Sequence, residues 1–326
     1  MRVLVIGAAG FIGSHLVSAL LKRGRLVNPG GELERIEEIV LADAAALPAR
    51  VTSGAAIRTE IGDFSDLAFL ERLFRDRVDS VFPLAATLTA EAEANFAQGL
   101  QVNVLAFLQM LEMCREQGTS TRLVFASSVA AFGGTLPEIV DDSVAHTPQT
   151  SYGTHKAIAE LLINDYSRRG FIDGRALRLP IVLIRPGAPS PAVSDRVAAI
   201  VREPLLGRDV ACPFDETTRL PVASARRVAQ CLIALHDLPA NAFGDSRAMN
   251  LPALSVTVQE MIRSLDRFRD TRRLGRVSFA PEAWMQAIVD RWPKQFVSAH
   301  ATRYGIGADA SFDEIVDAFL EDYANQ

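Results

Sequence analysis

Residues 7–13, Gly7-Ala8-Ala9-Gly10-Phe11-Ile12-Gly13, stand between a short β-branched run, Arg2 to Ile6, and a segment from Ile12 to Leu21 whose apolar residues recur at helical spacing. Strand, glycine turn, helix is half of a βαβ unit. At such a turn the backbone N–H groups and the positive end of the helix can receive a pyrophosphate. Glycine is needed there because a Cβ would block either the turn or the approaching phosphate. Alone, the pattern also suits a plain strand-to-helix turn, so the rest of the chain has to decide between the two.

Working outward, further strands are expected at 38–41, 57–61, 80–84, 123–126 and 175–179, with helical patterns between them at 66–76, 94–117 and 153–169. Strands alternating with helices imply an α/β fold, a doubly wound parallel sheet of Rossmann type covered on both faces. The polar stretch at Asn28-Pro29-Gly30-Gly31 makes the loop before the second strand unusually long. After about residue 185 the pattern weakens, with Pro186, Pro189 and Pro191 followed by a helix near 193–203 and a strand-like piece at 209–212. Helical patterns return at 225–236, 257–268, 281–291 and 312–323. The expected organisation is a dinucleotide-binding domain over 1–185. Residues 186–326 then form a smaller C-terminal substrate lobe, with some segments returning to the main domain.

Composition narrows the function. The 326 residues are 49% hydrophobic and 22% charged, the balance of an ordinary globular protein with a sizeable core. A net charge of -5 with scattered Lys and Arg gives no electrostatic reason to bind nucleic acid. Cys114, Cys212 and Cys231 lie far apart without a C-x-x-C pair, so neither a disulfide framework nor a metal site is expected. No apolar run reaches membrane-spanning length, and the N-terminus lacks the pattern of a signal peptide. A cytoplasmic location with no membrane partner is the expectation.

Asp43, closing the second strand, is placed to accept hydrogen bonds from adenosine ribose hydroxyls, and its charge would repel the extra phosphate of NADP. NAD is therefore the expected cofactor. Asp63, after the third strand, could hold the adenine edge or equally cap the helix at 66–76. Tyr152-Gly153-Thr154-His155-Lys156 sets a phenol and an amine four residues apart on one helix face. A phenol ionises near 10 unaided, so a neighbouring ammonium and a positive nicotinamide are expected to favour its phenolate. Phe125-Ala126-Ser127-Ser128-Val129 supplies hydroxyls at a strand end to hold a substrate alcohol, Ser128 first and Ser127 beside it. Thr89 is a further candidate for contact with substrate hydroxyls.

In order and spacing, the glycine turn, strand-end acid, serine pair and Tyr-x-x-x-Lys resemble the extended short-chain dehydrogenase/reductases over at least residues 1–187. The resemblance implies that Tyr152 is the acid/base, Lys156 binds the nicotinamide ribose and Ser128 orients the substrate. It also places Ala85, Ala86, Asn103, Pro180 and Val182 beside the cofactor or its supporting backbone, joining Gly7, Gly10, Phe11, Ile12 and Gly13. Dehydratases of that family carry Thr-Asp-Glu where this chain has Ser-Ser-Val, which disfavours dehydration. Arg178-Leu179-Pro180-Ile181-Val182 also lacks the asparagine with which epimerases grip a nucleotide diphosphate. The runs 167–180 and Arg202-Glu203-Pro204-Leu205 are similar to a branch that oxidises D-erythronate, a small sugar acid, at C2. That implies an anion partner on the protein, for which Arg219 is the candidate, and a homodimer through the helices at 94–117 and 153–169. The alternatives are a nucleotide-sugar epimerase that recycles bound NAD, and a non-catalytic NAD-binding sensor.

Overall fold

A computed structural model of the chain describes residues 1–47, 54–187 and 192–323. Pro189 and Pro191, part of the expected opening of the lobe, lie outside the described residues. Seven parallel strands form the central sheet: β1 (Arg2–Ile6), β2 (Glu38–Asp43), β3 (Ala56–Ile61), β4 (Ser80–Pro83), β5 (Arg122–Ser128), β6 (Asp173–Leu179) and, late in the chain, Ala248–Asn250. Reading across from that late strand, the spatial order is Ala248–Asn250, β6, β5, β4, β1, β2, β3.

Alternation along β1 builds both faces of the core. Val3 and Val5 pack with Leu16, Val17 and Leu20 of α1 (Phe11–Arg23). Leu4 and Ile6 pack on the other side with α2 (Leu67–Leu73), α3 (Ala106–Gln117) and Ile163 of α4 (Ser151–Arg168). A helix over Ala225–Asp237 returns to cover the first face beside α1 through Val228, Ala229 and Leu232.

The chain leaves the main sheet at Pro180. The strand β7 (Ile181–Leu183) runs parallel to β8 (Arg219–Ser224), which pairs antiparallel with Leu254–Thr257. Packed on these three strands are α5 (Val193–Leu205) and the helix Phe312–Tyr323, with a separate core around Phe214, Met261, Ile315 and Phe319. None of these lobe strands, nor the seventh strand of the main sheet, was legible from periodicity. They are three to six residues long, and Pro221 interrupts the run that becomes the central strand β8. The long loop before β2 is a hairpin, Arg25–Val27 against Leu33–Arg35, turning through Asn28–Gly31 with Gly31 at φ 85°.

The helix expected over 94–117 is broken. Phe96–Leu100 leads into a π-helical turn, Gln101–Leu105, before α3 begins. Among the described residues no helix is long and apolar enough to cross a membrane. The three cysteines are buried and unpaired.

Candidate active site

The glycine turn sits at the carboxyl edge of the sheet, where β1, β2 and β4 end together. Gly7 and Ala8 donate to the carbonyl of Ala42, and Leu84 and Ala85 donate to that of Ile6. Gly7 has φ 86°, and a Cβ on it would lie 2.6 Å from the amide nitrogen of Ala85. A Cβ on Gly13 would lie 2.1 Å from the carbonyl oxygen of Gly7. No side chain can occupy either place. Gly10 caps α1 without any side-chain acceptor, so the first N–H groups of the helix, at Phe11, Ile12 and Gly13, remain directed at the turn. This is a cradle that a Cβ would fill and an anion suits.

Asp43 frames the cradle from β2. One carboxylate oxygen accepts from the amide of Ala9 at 2.8 Å and the other from that of Ala45 at 2.9 Å. Each oxygen keeps a lone pair that a ribose hydroxyl can use. Asp63 forms a local turn, accepting from the amide and hydroxyl of Ser65, while the cap of α2 is Asp66. The capping role considered for Asp63 therefore belongs to Asp66.

Beyond Ala85 and Ala86, the loop is fixed by Asn103. From the middle of the π-helical turn its side chain accepts from the Thr87 amide and donates to the Thr87 carbonyl, both at 2.9 Å. Its amide nitrogen also lies 3.3 Å from Nδ1 of His155, between Tyr152 and Lys156 on α4. Asn103 thus ties the cradle's neighbouring loop to the helix that carries the phenol, and the π-turn is what directs it inward.

α4 begins with Thr150, whose hydroxyl accepts from the Gly153 amide. A Cβ on Gly153 would meet the Ala130 carbonyl at 2.0 Å, so glycine lets the helix press against the end of β5. That brings the Tyr152 phenol near the Ser128 hydroxyl, and Lys156 Nζ to 5.4 Å from the Tyr152 ring centroid and 4.4 Å from that of Phe125. Lys156 Nζ donates to the carbonyl of Ala126 at 2.8 Å.

The expected phenolate depends on the ammonium and a positive nicotinamide together, and within the protein alone burial opposes it. Burial pushes the Tyr152 phenol up to about 12, against a smaller lowering by the Ser128 hydrogen bond. Burial also takes the Lys156 ammonium down to about 7, opposed by the Glu160 carboxylate. Desolvation outweighs the pairing within the protein, so the phenol is protonated at neutral pH until further positive charge arrives beside it.

Ser127 is a correction. It is 2% exposed, and its hydroxyl donates to the buried Glu160 instead of facing a substrate. Thr89 is exposed at the first turn of the short helix Thr89–Ala94, and Arg219 is exposed at the start of β8, donating to the Ser255 carbonyl at 3.2 Å. Pro180 is buried and Val182 partly buried where the chain passes from β6 into β7. The buried run Arg202-Glu203 forms ion pairs with the buried Asp195 and the exposed Arg208, and Arg202 also donates to the Arg185 carbonyl at 2.9 Å. Sequence reasoning passed over Glu160, Arg178 and His146, although Glu160 at four residues beyond Lys156 carried the signal. No group of residues able to hold a metal ion occurs among the described residues.

Three comparisons bear on this site. Residues 3–250 match the NAD dependent epimerase/dehydratase family. The chain is 42% identical to D-erythronate dehydrogenase of Cupriavidus necator, over 99% of this chain and 98% of that one. It is 36% identical to the enzyme of the same name from Haemophilus influenzae, over 98% and 99%. A crystal structure described as a nucleoside-diphosphate-sugar epimerase from Agrobacterium tumefaciens superposes with a TM-score of 0.92 at 35% identity, covering 100% of this chain and 95% of that one.

Proposed function

The chain belongs to the NAD-dependent epimerase/dehydratase family, and from that premise we propose that it is a dehydrogenase oxidising the C2 hydroxyl of D-erythronate to the 2-keto acid. The observation that carries the reading is the meeting of Ser128, Tyr152 and Lys156 at the sheet edge that also holds the glycine cradle. The near full-length identity to two D-erythronate dehydrogenases supports the substrate.

The cradle of Gly7, Gly10 and Gly13, with Asp43, Ala85, Ala86 and Lys156, would hold NAD. When bound, NAD supplies the acceptor for the hydride leaving C2 and, in its oxidised form, a positive charge beside the phenol. Tyr152 then takes the proton of the C2 hydroxyl while Ser128 holds the same oxygen as it becomes a carbonyl. Lys156, fixed by the Ala126 carbonyl, adds its charge beneath the Tyr152 ring. The smaller lobe receives the acid, with Arg219 as partner of its carboxylate and Thr89 in reach of its hydroxyls. A homodimer fits the exposed apolar side chains of Phe96, Leu105 and Leu161, which lie on the helical stretches 96–117 and 151–168. A cytoplasmic site of action fits three cysteines left unpaired.

The test is NADH release from NAD and D-erythronate by the purified protein. Tyr152→Phe is expected to lower turnover by roughly 10²–10⁴ while NAD still binds; near-normal turnover removes Tyr152 from its role. One neighbour described as a nucleoside-diphosphate-sugar epimerase favours a second reading. It predicts tightly retained NAD, conversion of a sugar nucleotide and no free NADH.

A further inference from the structure

Tyr152, Lys156 and Glu160 follow one another at four-residue spacing along α4 and form a single row facing β5. Each meets one of three consecutive residues at the end of that strand. Tyr152 lies near Ser128, Lys156 donates to the Ala126 carbonyl, and Glu160 accepts from the Ser127 hydroxyl between them. The first two contacts belong to the proposed chemistry. The third has no part in it so far.

Glu160 is 3% exposed. Besides Ser127 it accepts from Arg178 of β6, at 3.0 Å from Nε and 2.9 Å from Nη2, and lies 3.5 Å from Nε2 of His146 in the segment leading to α4. Arg178 in turn donates to Asn250 of the seventh strand at 3.2 Å. The guanidinium and the carboxyl group thus form a buried, charge-assisted, two-point ion pair. Buried ion pairs of this kind stabilise a fold little better than apolar side chains of the same volume. The placement one turn behind the site lysine gives the carboxylate a different use.

We propose that Glu160 is a positioning residue of the active site, its buried carboxylate placing negative charge one helical turn from Lys156 and tying the end of β5 to α4 through Ser127 and Arg178. Lys156 needs such a partner. It is 6% exposed, its hydrogen-bond acceptor among the described residues is a neutral carbonyl, and aromatic rings lie on two sides. The groups facing it are Tyr152 and Glu160 on α4 and Phe125 and the Ala126 carbonyl on β5, so Glu160 brings the negative charge. Burial draws the ammonium toward neutrality, and Glu160 opposes it.

The inference rests on the NAD-linked reading of Lys156, so it is tested by binding instead of turnover. NADH affinity is measured by fluorescence between about pH 6 and about pH 9. The wild-type protein is expected to lose affinity on the alkaline side as Lys156 gives up its proton. In Glu160→Gln that fall moves down by about one pH unit or more, leaving about tenfold weaker binding at about pH 8. Since Glu160→Gln strands the Arg178 charge and can fail to fold, the double variant Glu160→Gln/Arg178→Met is measured beside it and is expected to show a displacement in the same direction, smaller because the cation is removed with the anion. Ser127→Ala removes the hydrogen bond but leaves the charge, so its fall stays within about 0.3 units of the wild type. A folded double variant whose fall coincides with the wild type overturns the proposal, as does a Ser127→Ala fall displaced as far as that of Glu160→Gln. A wild-type protein that binds no NADH at any pH refutes the cofactor reading instead.

Discussion

Acidification is expected to cost this protein about 2 kcal/mol of stability at about pH 5 through His236 alone. The imidazole is 0% exposed at the amino edge of the sheet, with Nε2 2.8 Å from the Ser80 hydroxyl and Nδ1 2.9 Å from an Asp237 oxygen. Burial lowers its proton affinity from 6.5 to about 4, against the opposing pull of Asp237 and with Arg122 and Arg175 adding to the lowering. Asp237 is already engaged by Arg23 and the Val27 amide, which limits what it offers an imidazolium. Because the folded value lies below the unfolded one, the unfolded chain binds the extra proton first as pH falls through 6.5. Stability from the neutral ring is complete above that pH and is lost progressively down to about 4. The full displacement corresponds to about 3 kcal/mol, of which about 2 is gone by about pH 5. His236→Gln cannot titrate, so comparison with it separates this loss from that of the carboxylates. Urea unfolding followed by circular dichroism at about pH 7.5 and about pH 5 should show the wild-type advantage shrinking by about 2 kcal/mol. An advantage unchanged within about 0.5 kcal/mol would mean that His236 does not stay neutral in the folded state.

Two further outcomes test the site and the assembly. Asp43→Ala is expected to reduce kcat/KM for NAD by about tenfold, two charged hydrogen bonds to the ribose being lost, while narrowing the preference for NAD over NADP; a wild-type protein that prefers NADP sinks the role given to Asp43. Phe96→Glu with Leu161→Glu is expected to convert a dimer to a monomer in sedimentation, and a wild-type protein already monomeric at micromolar concentration refutes the proposed interface.

Six strands of the main sheet could be read from sequence because most are short apolar runs and several are separated by helical patterns, the arrangement in which period and length agree. Tyr152, Lys156 and Ser128 were legible because a helix row and a strand end need only local spacing to be placed. What escaped depended on distant partners. The strand Ala248–Asn250 exists because β6 offers an unpaired edge, and nothing in its three residues announces it. Ser127 read as a substrate contact because the strand pattern does not say that Glu160, 33 residues on, will take its hydroxyl. The burial that opposes the phenolate escaped for a related reason. Spacing shows that an ammonium is near, while the burial that outweighs it is a property of the assembled site.

The seventh strand and the helix Ala225–Asp237 come from the chain beyond β8, after it has already built part of the smaller lobe. During synthesis, therefore, the first six strands leave the ribosome with one edge open and the α1 side of the sheet half bare. The face is not covered until residue 237 has emerged, nor the edge until residue 250. A nascent chain of about two-thirds length is thus the most aggregation-prone form this protein passes through, and a fragment ending at residue 185 would be held permanently in that condition.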